Sequence, residues 1–339
     1  MKVFNTNIVG YEILVKPREL TMELPLSEKA EHVVGEGREI IEAILDGKDK
    51  RKLVVVGPCS IHNVEEALEY AQKLKSLADE LPNLFIVMRV YFEKPRTTVG
   101  WKGLINDPHL DGSFKIEEGM KIARKLLLDI NELGLCAGSE ALDPISPQYI
   151  ADLITWYAIG ARTTESQTHR EMSSGLSAPI GFKNGTNGGV KIAINAMQSA
   201  SSPHRFLGMN SDGAVSVYIT KGNKYGHLIL RGGSDGPNYD TKSVAAVQEQ
   251  TDAKIMIDCS HANSEKNHEK QPGVCKDAVA QMKTNPAIIG LMIESNLGAG
   301  NQKIPEDVST LEKGVSVTDK CIDWETTEEL LRWTNAELA

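Results

Sequence analysis

The sequence predicts an α/β protein built as a (β/α)8 barrel, the TIM-barrel architecture, with an N-terminal extension and an inserted β-hairpin. Three observations predict it. From about residue 53 onward, short β-branched runs alternate with longer stretches whose apolar residues recur at helical spacing. Eight strand-plus-helix units can be counted, the number that closes a parallel barrel and not an open doubly wound sheet. Chemistry-bearing side chains also stand at the C-terminal end of nearly every strand run, the face on which such barrels carry their sites.

The strand runs, in order, are Leu53 to Val56, Leu84 to Val90, Leu135 to Ser139, Ala158 to Ala161, Pro179 to Phe182, Arg205 to Met209, Lys254 to Asp258 and Ala287 to Ile293. His227 to Leu230 competes with Arg205 to Met209 for the sixth place. Apolar residues at helical spacing mark helices over Val64 to Leu81, Ile116 to Leu133, Pro147 to Trp156, Thr168 to Leu176, Val190 to Ala200, Thr241 to Gln250, Val274 to Lys283 and Thr326 to Leu338. Residues 1–50 precede the barrel as an extension with a helix near Glu31 to Leu45, and residues 51–339 form the catalytic barrel. Within it, Ala214 to Leu230 alternates like a hairpin around Lys221-Gly-Asn-Lys-Tyr-Gly226. Neither addition is needed for closure, so oligomer contact or regulation is their expected role.

The chain has 339 residues, 41% apolar and 24% charged, as in a globular protein with a large core. Its net charge of -9 speaks against a general nucleic-acid or membrane-surface binder, so any anion site must be a local concentration of positive charge. The N-terminus shows no apolar signal core, and Ala287-Ile-Ile-Gly-Leu-Met-Ile293 is too short to span a bilayer. A cytoplasmic location is expected. Cys59, Cys136, Cys259, Cys275 and Cys321 form an odd set without a Cys-x-x-Cys pair, which fits reduced thiols.

Six cations follow apolar runs: Arg89, Lys94, Arg96, Arg162, Lys183 and Arg231. A lone buried ammonium or guanidinium costs several kcal/mol, and no equal set of carboxylates accompanies these in the sequence. An anionic ligand is therefore the expected partner, although for any single arginine a salt bridge in the rim is the ordinary alternative. No Walker-type loop and no Gly-x-Gly-x-x-Gly occurs in a strand-to-helix context, so small phosphorylated substrates are expected over a nucleotide. Glu140 ends the third run on the same face. Cys59, His261, Glu294 and Asp319 offer a thiol, an imidazole and two carboxylates, a set suited to a divalent metal ion such as Mn, Fe, Co or Zn. Taken singly, Cys59 could be a small core residue, His261 a satisfied histidine and Asp319 a turn cap. Their shared position at strand ends favours the ligand reading.

Val56-Gly-Pro-Cys-Ser-Ile-His62, Met88-Arg-Val-Tyr-Phe-Glu-Lys-Pro-Arg-Thr-Thr-Val-Gly-Trp-Lys-Gly-Leu104, Gly160-Ala-Arg-Thr-Thr-Glu-Ser166, Gly181-Phe-Lys-Asn-Gly-Thr186 and Asp258-Cys-Ser-His-Ala-Asn263 are long motifs. Together they resemble those of the class I 3-deoxy-D-arabino-heptulosonate 7-phosphate (DAHP) synthases, over essentially the whole chain. The resemblance implies condensation of phosphoenolpyruvate with erythrose 4-phosphate, with release of phosphate. It implies that Cys59, His261, Glu294 and Asp319 bind the metal. Arg162, Arg231 and Lys183 would hold the phosphoenolpyruvate phosphate, Arg89 and Lys183 its carboxylate, and Arg96 with Thr97 the sugar phosphate. Lys94 would be the catalytic lysine.

The same resemblance implies feedback inhibition by an aromatic amino acid at a site lined by Pro147, Gln148, Leu176, Ser177, Phe206 and Gly208. The missing side chain at Gly208 leaves room for a phenol hydroxyl and favours tyrosine over phenylalanine. A homodimer or homotetramer is implied, with residues 1–30 in contact. Two rivals stay open: a related condensing enzyme acting on arabinose 5-phosphate, against which Lys94-Pro-Arg-Thr-Thr98 argues, and a non-catalytic metabolite sensor, which would need neither Lys94 nor a metal set.

Overall fold

A computed structural model describes residues 3–96 and 99–339. The extension carries α1 (Pro17–Glu23) and α2 (Glu28–Leu45). The body runs β1 (Lys52–Gly57), α3 (Val64–Ala78), β2 (Leu84–Arg89), α4 (Ile116–Glu132), β3 (Cys136–Glu140), α5 (Pro147–Ile150), β4 (Trp156–Ile159), α6 (Gln167–Ser173), β5 (Ile180–Lys183) and α7 (Lys191–Ala200). It continues with β6 (Arg205–Met209), β7 (Val215–Ile219), β8 (Gly226–Leu230), α8 (Thr241–Gln248), β9 (Ile255–Asp258), α9 (Gln271–Met282), β10 (Ile288–Glu294) and α10 (Trp324–Glu337).

Eight parallel strands close in the order β1-β10-β9-β8-β5-β4-β3-β2, and β6 and β7 form a separate antiparallel pair. The expected barrel is present, with one correction. The sixth barrel strand is β8, whereas Arg205 to Met209 pairs with Val215 to Ile219 as the hairpin. The expected hairpin over Ala214 to Leu230 therefore spans half of the true hairpin and one barrel strand. The physical reason is burial: Leu228, Ile229 and Leu230 are fully enclosed, while β6 and β7 alternate exposed and half-buried residues on a sheet of only two strands. The fourth strand also begins earlier than expected, at Trp156, and the helix expected over Pro147 to Trp156 stops at Ile150. Buried Arg124 accounts for that stop. Its guanidinium grips both carboxylate oxygens of Asp152, at 2.7 and 2.8 Å, and the Tyr149 carbonyl at 2.7 Å, which turns the chain toward β4.

The barrel interior is filled by Leu53, Val55, Val87, Trp156, Ile229, Met256 and Met292, and Ile41 and Ile44 of α2 pack against this cluster. Ser27 caps α2 by accepting from the Ala30 N–H. Gly37 lets α2 approach the barrel closely, because a Cβ there would lie 2.5 Å from Cys136 Sγ and 2.8 Å from Thr155 Cγ2. α2 of the extension thus belongs to the barrel core. The opposite, C-terminal end of the barrel stays open. No helix among the described residues is long and apolar enough to cross a membrane.

Candidate active site

Because the strands are parallel, their last residues converge at one mouth. β1 delivers Cys59, β2 Arg89, β3 Glu140, β5 Lys183, β9 Asp258 and then His261, and β10 Glu294, with Arg162 and Arg231 just beyond β4 and β8. A cavity of about 560 Å³ opens there, and Lys94, Arg96, Glu140, Arg162, Lys183, Arg231, His261 and Asp319 all line it. Cys59, Arg89 and Glu294 are fully buried. Thr97 lies outside the described residues.

Three of the four expected metal-type donors lie together. One donor atom from each of Cys59, Glu294 and Asp319 lies within 4.8 Å of the others. His261 Nε2 is 3.7 Å from Glu294 Oε1, so the imidazole borders the same group. A thiol and two carboxylates facing one another, with an imidazole beside Glu294, suit a divalent cation in kind. Burial, then Glu294, pushes the Cys59 thiol up to about 11, so it becomes a good ligand only on losing its proton. Burial alone would raise Glu294; His261, Arg89 and Lys94 outweigh it and hold that carboxyl down at about 2. Lys94 Nζ donates toward Cys59 Sγ at 3.1 Å and the Cys59 carbonyl at 3.3 Å. Burial opposes its charge, but Cys59, Glu294 and Asp319 prevail and keep the ammonium protonated more firmly than usual.

Two of the six cations already have a carboxylate partner within the chain. Arg89 Nη2 is 3.1 Å from Glu294 Oε1, and Lys183 Nζ is 3.1 Å from Asp258 Oδ2. These two lie deepest, where an uncompensated charge would be most costly, so the fold supplies the counter-charges itself. Among the described residues, Arg96, Arg162 and Arg231 have no carboxylate within ion-pair distance. They sit around the open cavity. Arg162 instead donates to the Pro95 carbonyl at 2.7 Å, tying its own loop to the Lys94-Pro95-Arg96 segment.

Several residues of the site were not singled out from sequence. Asp258 holds Lys183 and His261. Tyr91 lies beneath Arg89, whose guanidinium stacks 3.8 Å from the ring centroid, and its buried hydroxyl has no hydrogen-bond partner among the described residues. Ser260 Oγ donates to Glu294 Oε2 at 2.7 Å, and the Gln271 amide brackets the Glu294 backbone. Asn184 accepts from the Arg231 N–H at 2.8 Å and donates to the Gly232 carbonyl, fixing the Arg231 loop against β5. Lys266 also lines the cavity. The available signal was position: Tyr91, Asn184, Asp258 and Ser260 stand inside or beside the motifs. Gly160 explains one such motif, since a Cβ there would meet Glu140 Oε1 at 2.4 Å.

The residues expected at a regulatory site fall on separate elements. Pro147 and Gln148 open α5, Leu176 and Ser177 follow α6, and Phe206 and Gly208 lie on β6. α6 packs against β6, and α1 packs against α5 while the Arg18 N–H donates to the Ser211 carbonyl in the hairpin turn at 2.8 Å. α1 therefore bridges the two halves. At Gly208 the expected empty space is filled from within the chain, because a Cβ there would lie 2.3 Å from the Tyr218 ring, which stacks on Phe206. The absence of a side chain at Gly208 makes room for Tyr218.

Comparison with known proteins identifies the family. The description "DAHP synthetase I family" matches residues 23–332. A Salmonella typhimurium protein named phospho-2-dehydro-3-deoxyheptonate aldolase, Tyr-sensitive, is 54% identical over 99% of this chain and 96% of its own length. An Escherichia coli protein of the same name, Phe-sensitive, is 55% identical over 94% of this chain and 93% of its own. The solved structure of phospho-2-dehydro-3-deoxyheptonate aldolase from Francisella tularensis superposes with a TM-score of 0.95 at 49% identity, covering 98% of both chains. With a family match over most of its length and relatives this similar, the chain belongs to the DAHP synthetase I family.

Proposed function

We propose that this chain is a DAHP synthase, condensing phosphoenolpyruvate with erythrose 4-phosphate to give DAHP and phosphate at the barrel mouth. The observation that carries the reading is the juxtaposition of three converging donors, Cys59, Glu294 and Asp319, with a cavity bordered by three arginines that lack carboxylate partners among the described residues. Arg162 and Arg231, with Lys183, hold the phosphoenolpyruvate phosphate. Arg89 and Lys183 hold its carboxylate, and Arg96 with Thr97 holds the phosphate of the sugar. Glu140 borders the phosphoenolpyruvate pocket. Fixing both polyanions in one orientation removes much of the entropic barrier to joining C3 of one to the aldehyde carbon of the other.

Cys59, His261, Glu294 and Asp319 hold a divalent ion, Mn, Fe, Co or Zn. When bound, such an ion polarises an aldehyde oxygen or activates water. Lys94, firmly protonated on the cavity floor, donates a proton to the oxygen that becomes alkoxide as the carbon–carbon bond forms. Water adds at C2 and phosphate leaves.

An aromatic amino acid inhibits the enzyme by binding between α5 and the hairpin, near Pro147, Gln148, Leu176, Ser177, Phe206 and Gly208. Tyrosine is the proposed inhibitor and requires the Tyr218 ring to turn aside. The chain associates as a homodimer or homotetramer through residues 1–30. In support, Val3, Phe4, Ile8, Val9, Tyr11 and Ile13 are exposed, as are Leu207, Val215, Val217 and Ile219 on the hairpin. All five cysteines are unpaired and buried, in keeping with a reducing cytoplasm.

The test is phosphate release from phosphoenolpyruvate with erythrose 4-phosphate, with and without chelator, and with arabinose 5-phosphate in its place. Chelator-sensitive release with the four-carbon sugar is expected. Release only with arabinose 5-phosphate selects the related condensing enzyme, and none with either selects a sensor.

A further inference from the structure

Asp258 belongs to neither ligand set, yet both reach it, and they reach the same atom. Its Oδ2 lies 3.1 Å from Lys183 Nζ and 2.9 Å from His261 Nδ1. The carboxylate cannot turn to serve its two neighbours separately. Oδ1 is occupied by the Ser260 N–H at 3.0 Å, and the residue's own carbonyl accepts from Asn263 Nδ2 at 2.8 Å, so both ends of the residue are pinned. The side chain is fully buried. Oδ2 and His261 Nδ1 are nevertheless among the buried polar atoms with no aligned hydrogen bond, so the oxygen is divided between two partners and committed to neither. It is a carboxylate set between two cation-type donors.

We infer that Asp258 Oδ2 is the coupling point between the metal and phosphoenolpyruvate subsites, a single acceptor shared by His261 and Lys183, so that filling one subsite tightens the other. The inference rests on the proposed reading of those subsites. A histidine that ligates through Nε2 donates its Nδ1–H more strongly to a carboxylate behind it. Charge drawn toward the imidazole leaves Lys183 less neutralised and more available to an anionic substrate. In the other direction, an anion that engages Lys183 leaves the whole carboxylate to His261, which makes the imidazole a more basic ligand. Linkage requires the two effects to be equal in factor. Asp258 touches no reacting atom in this account and is a positioning residue.

Direct attraction between a bound cation and a bound anion would also couple the subsites, and Asp258→Asn separates the two causes. The substitution keeps the volume and an acceptor for Ser260 and removes the shared negative charge. Phosphoenolpyruvate is titrated calorimetrically into the full-length protein with and without Mn2+, and Mn2+ affinity is measured by chelator competition with and without phosphoenolpyruvate. The wild type is expected to show coupling of about tenfold in both directions. Asp258→Asn is expected to retain less than about twofold and to bind Mn2+ alone about 10–100-fold more weakly. Lys183→Gln supplies an independent reading should Asp258→Asn fail to fold. With its competitor gone, Asp258 serves His261 alone, and Mn2+ affinity without substrate rises above the wild-type value. Coupling unchanged in Asp258→Asn, or Mn2+ affinity unchanged or lower in Lys183→Gln, overturns the inference while leaving the subsites intact. A wild type that binds no Mn2+ overturns both the metal reading and this inference.

Discussion

Arg89 Nη2 lies 3.1 Å from Glu294 Oε1, and both side chains are completely enclosed. The two residues end β2 and β10, the strands that flank β1 on either side. Register accounts for the meeting: Gly57 pairs with Glu294, and a Cβ at Gly57 would lie within 3.2 Å of three Arg89 atoms. Two of the most deeply placed side chains at the mouth thus form an internal ion pair.

Breaking that pair on one side leaves a buried charge unpaired. Arg89→Leu is expected to cost about 3–5 kcal/mol in denaturant unfolding. Arg89→Leu combined with Glu294→Leu is expected to regain most of that loss, yet to stay inactive because both subsites have lost a member. Equal stability of the single variant and the wild type would contradict the pairing.

Cys59→Ala and His261→Ala each remove one donor from the proposed metal set. Each is expected to abolish chelator-sensitive phosphate release while the protein remains folded by circular dichroism. Full turnover in either variant refutes the assignment.

Glu93 adjoins Lys94 and is largely buried, with Asn106 and Ser146 donating at 3.5 and 3.4 Å. Burial, then Asp143, pushes its carboxyl up to about 7. The folded state thus holds a proton that the unfolded chain releases near pH 4.5, and stability falls as pH rises through this window. Glu93→Gln removes that dependence. Its melting temperature relative to the wild type is expected to rise between pH 5 and pH 8, by an amount equivalent to about 1–3 kcal/mol. A constant difference across that range would show that Glu93 ionises normally.

Gly208→Ala forces the Tyr218 ring away from β6 without touching the mouth. The added methyl stands in the space that the inhibitor's ring would take once Tyr218 turns aside, so inhibition by tyrosine is expected to weaken at least about tenfold, a cost of about 1.4 kcal/mol, with KM for both substrates unchanged. Inhibition that is the same as in the wild type, or that phenylalanine matches equally in both proteins, removes the tyrosine proposal.

Much of the fold was legible because parallel barrel strands are short, β-branched and nearly continuous in apolar character, and their helices carry apolar residues at a different period. Arg205-Phe-Leu-Gly-Met209 and His227-Leu-Ile-Leu230 are alike on that criterion. Only burial on both faces separates them, and burial depends on neighbours far away in sequence. The site residues were legible where a strand ended in a charged or soft donor. Arg89 with Glu294, and Lys183 with Asp258, were not legible as pairs, since partners so far apart in sequence meet only through barrel closure. The filling of the Gly208 space by Tyr218 depends on cross-strand register, which neither residue reveals alone.

The central claim, that one mouth holds a metal ion and two phosphorylated substrates, is tested most directly by a crystal structure of the protein with Mn2+ and phosphoenolpyruvate, using the anomalous signal of manganese. The account predicts one manganese peak bonded to Cys59, His261, Glu294 and Asp319, with the phosphate against Arg162 and Arg231. Manganese bound elsewhere, or phosphoenolpyruvate seated away from those arginines, would contradict it.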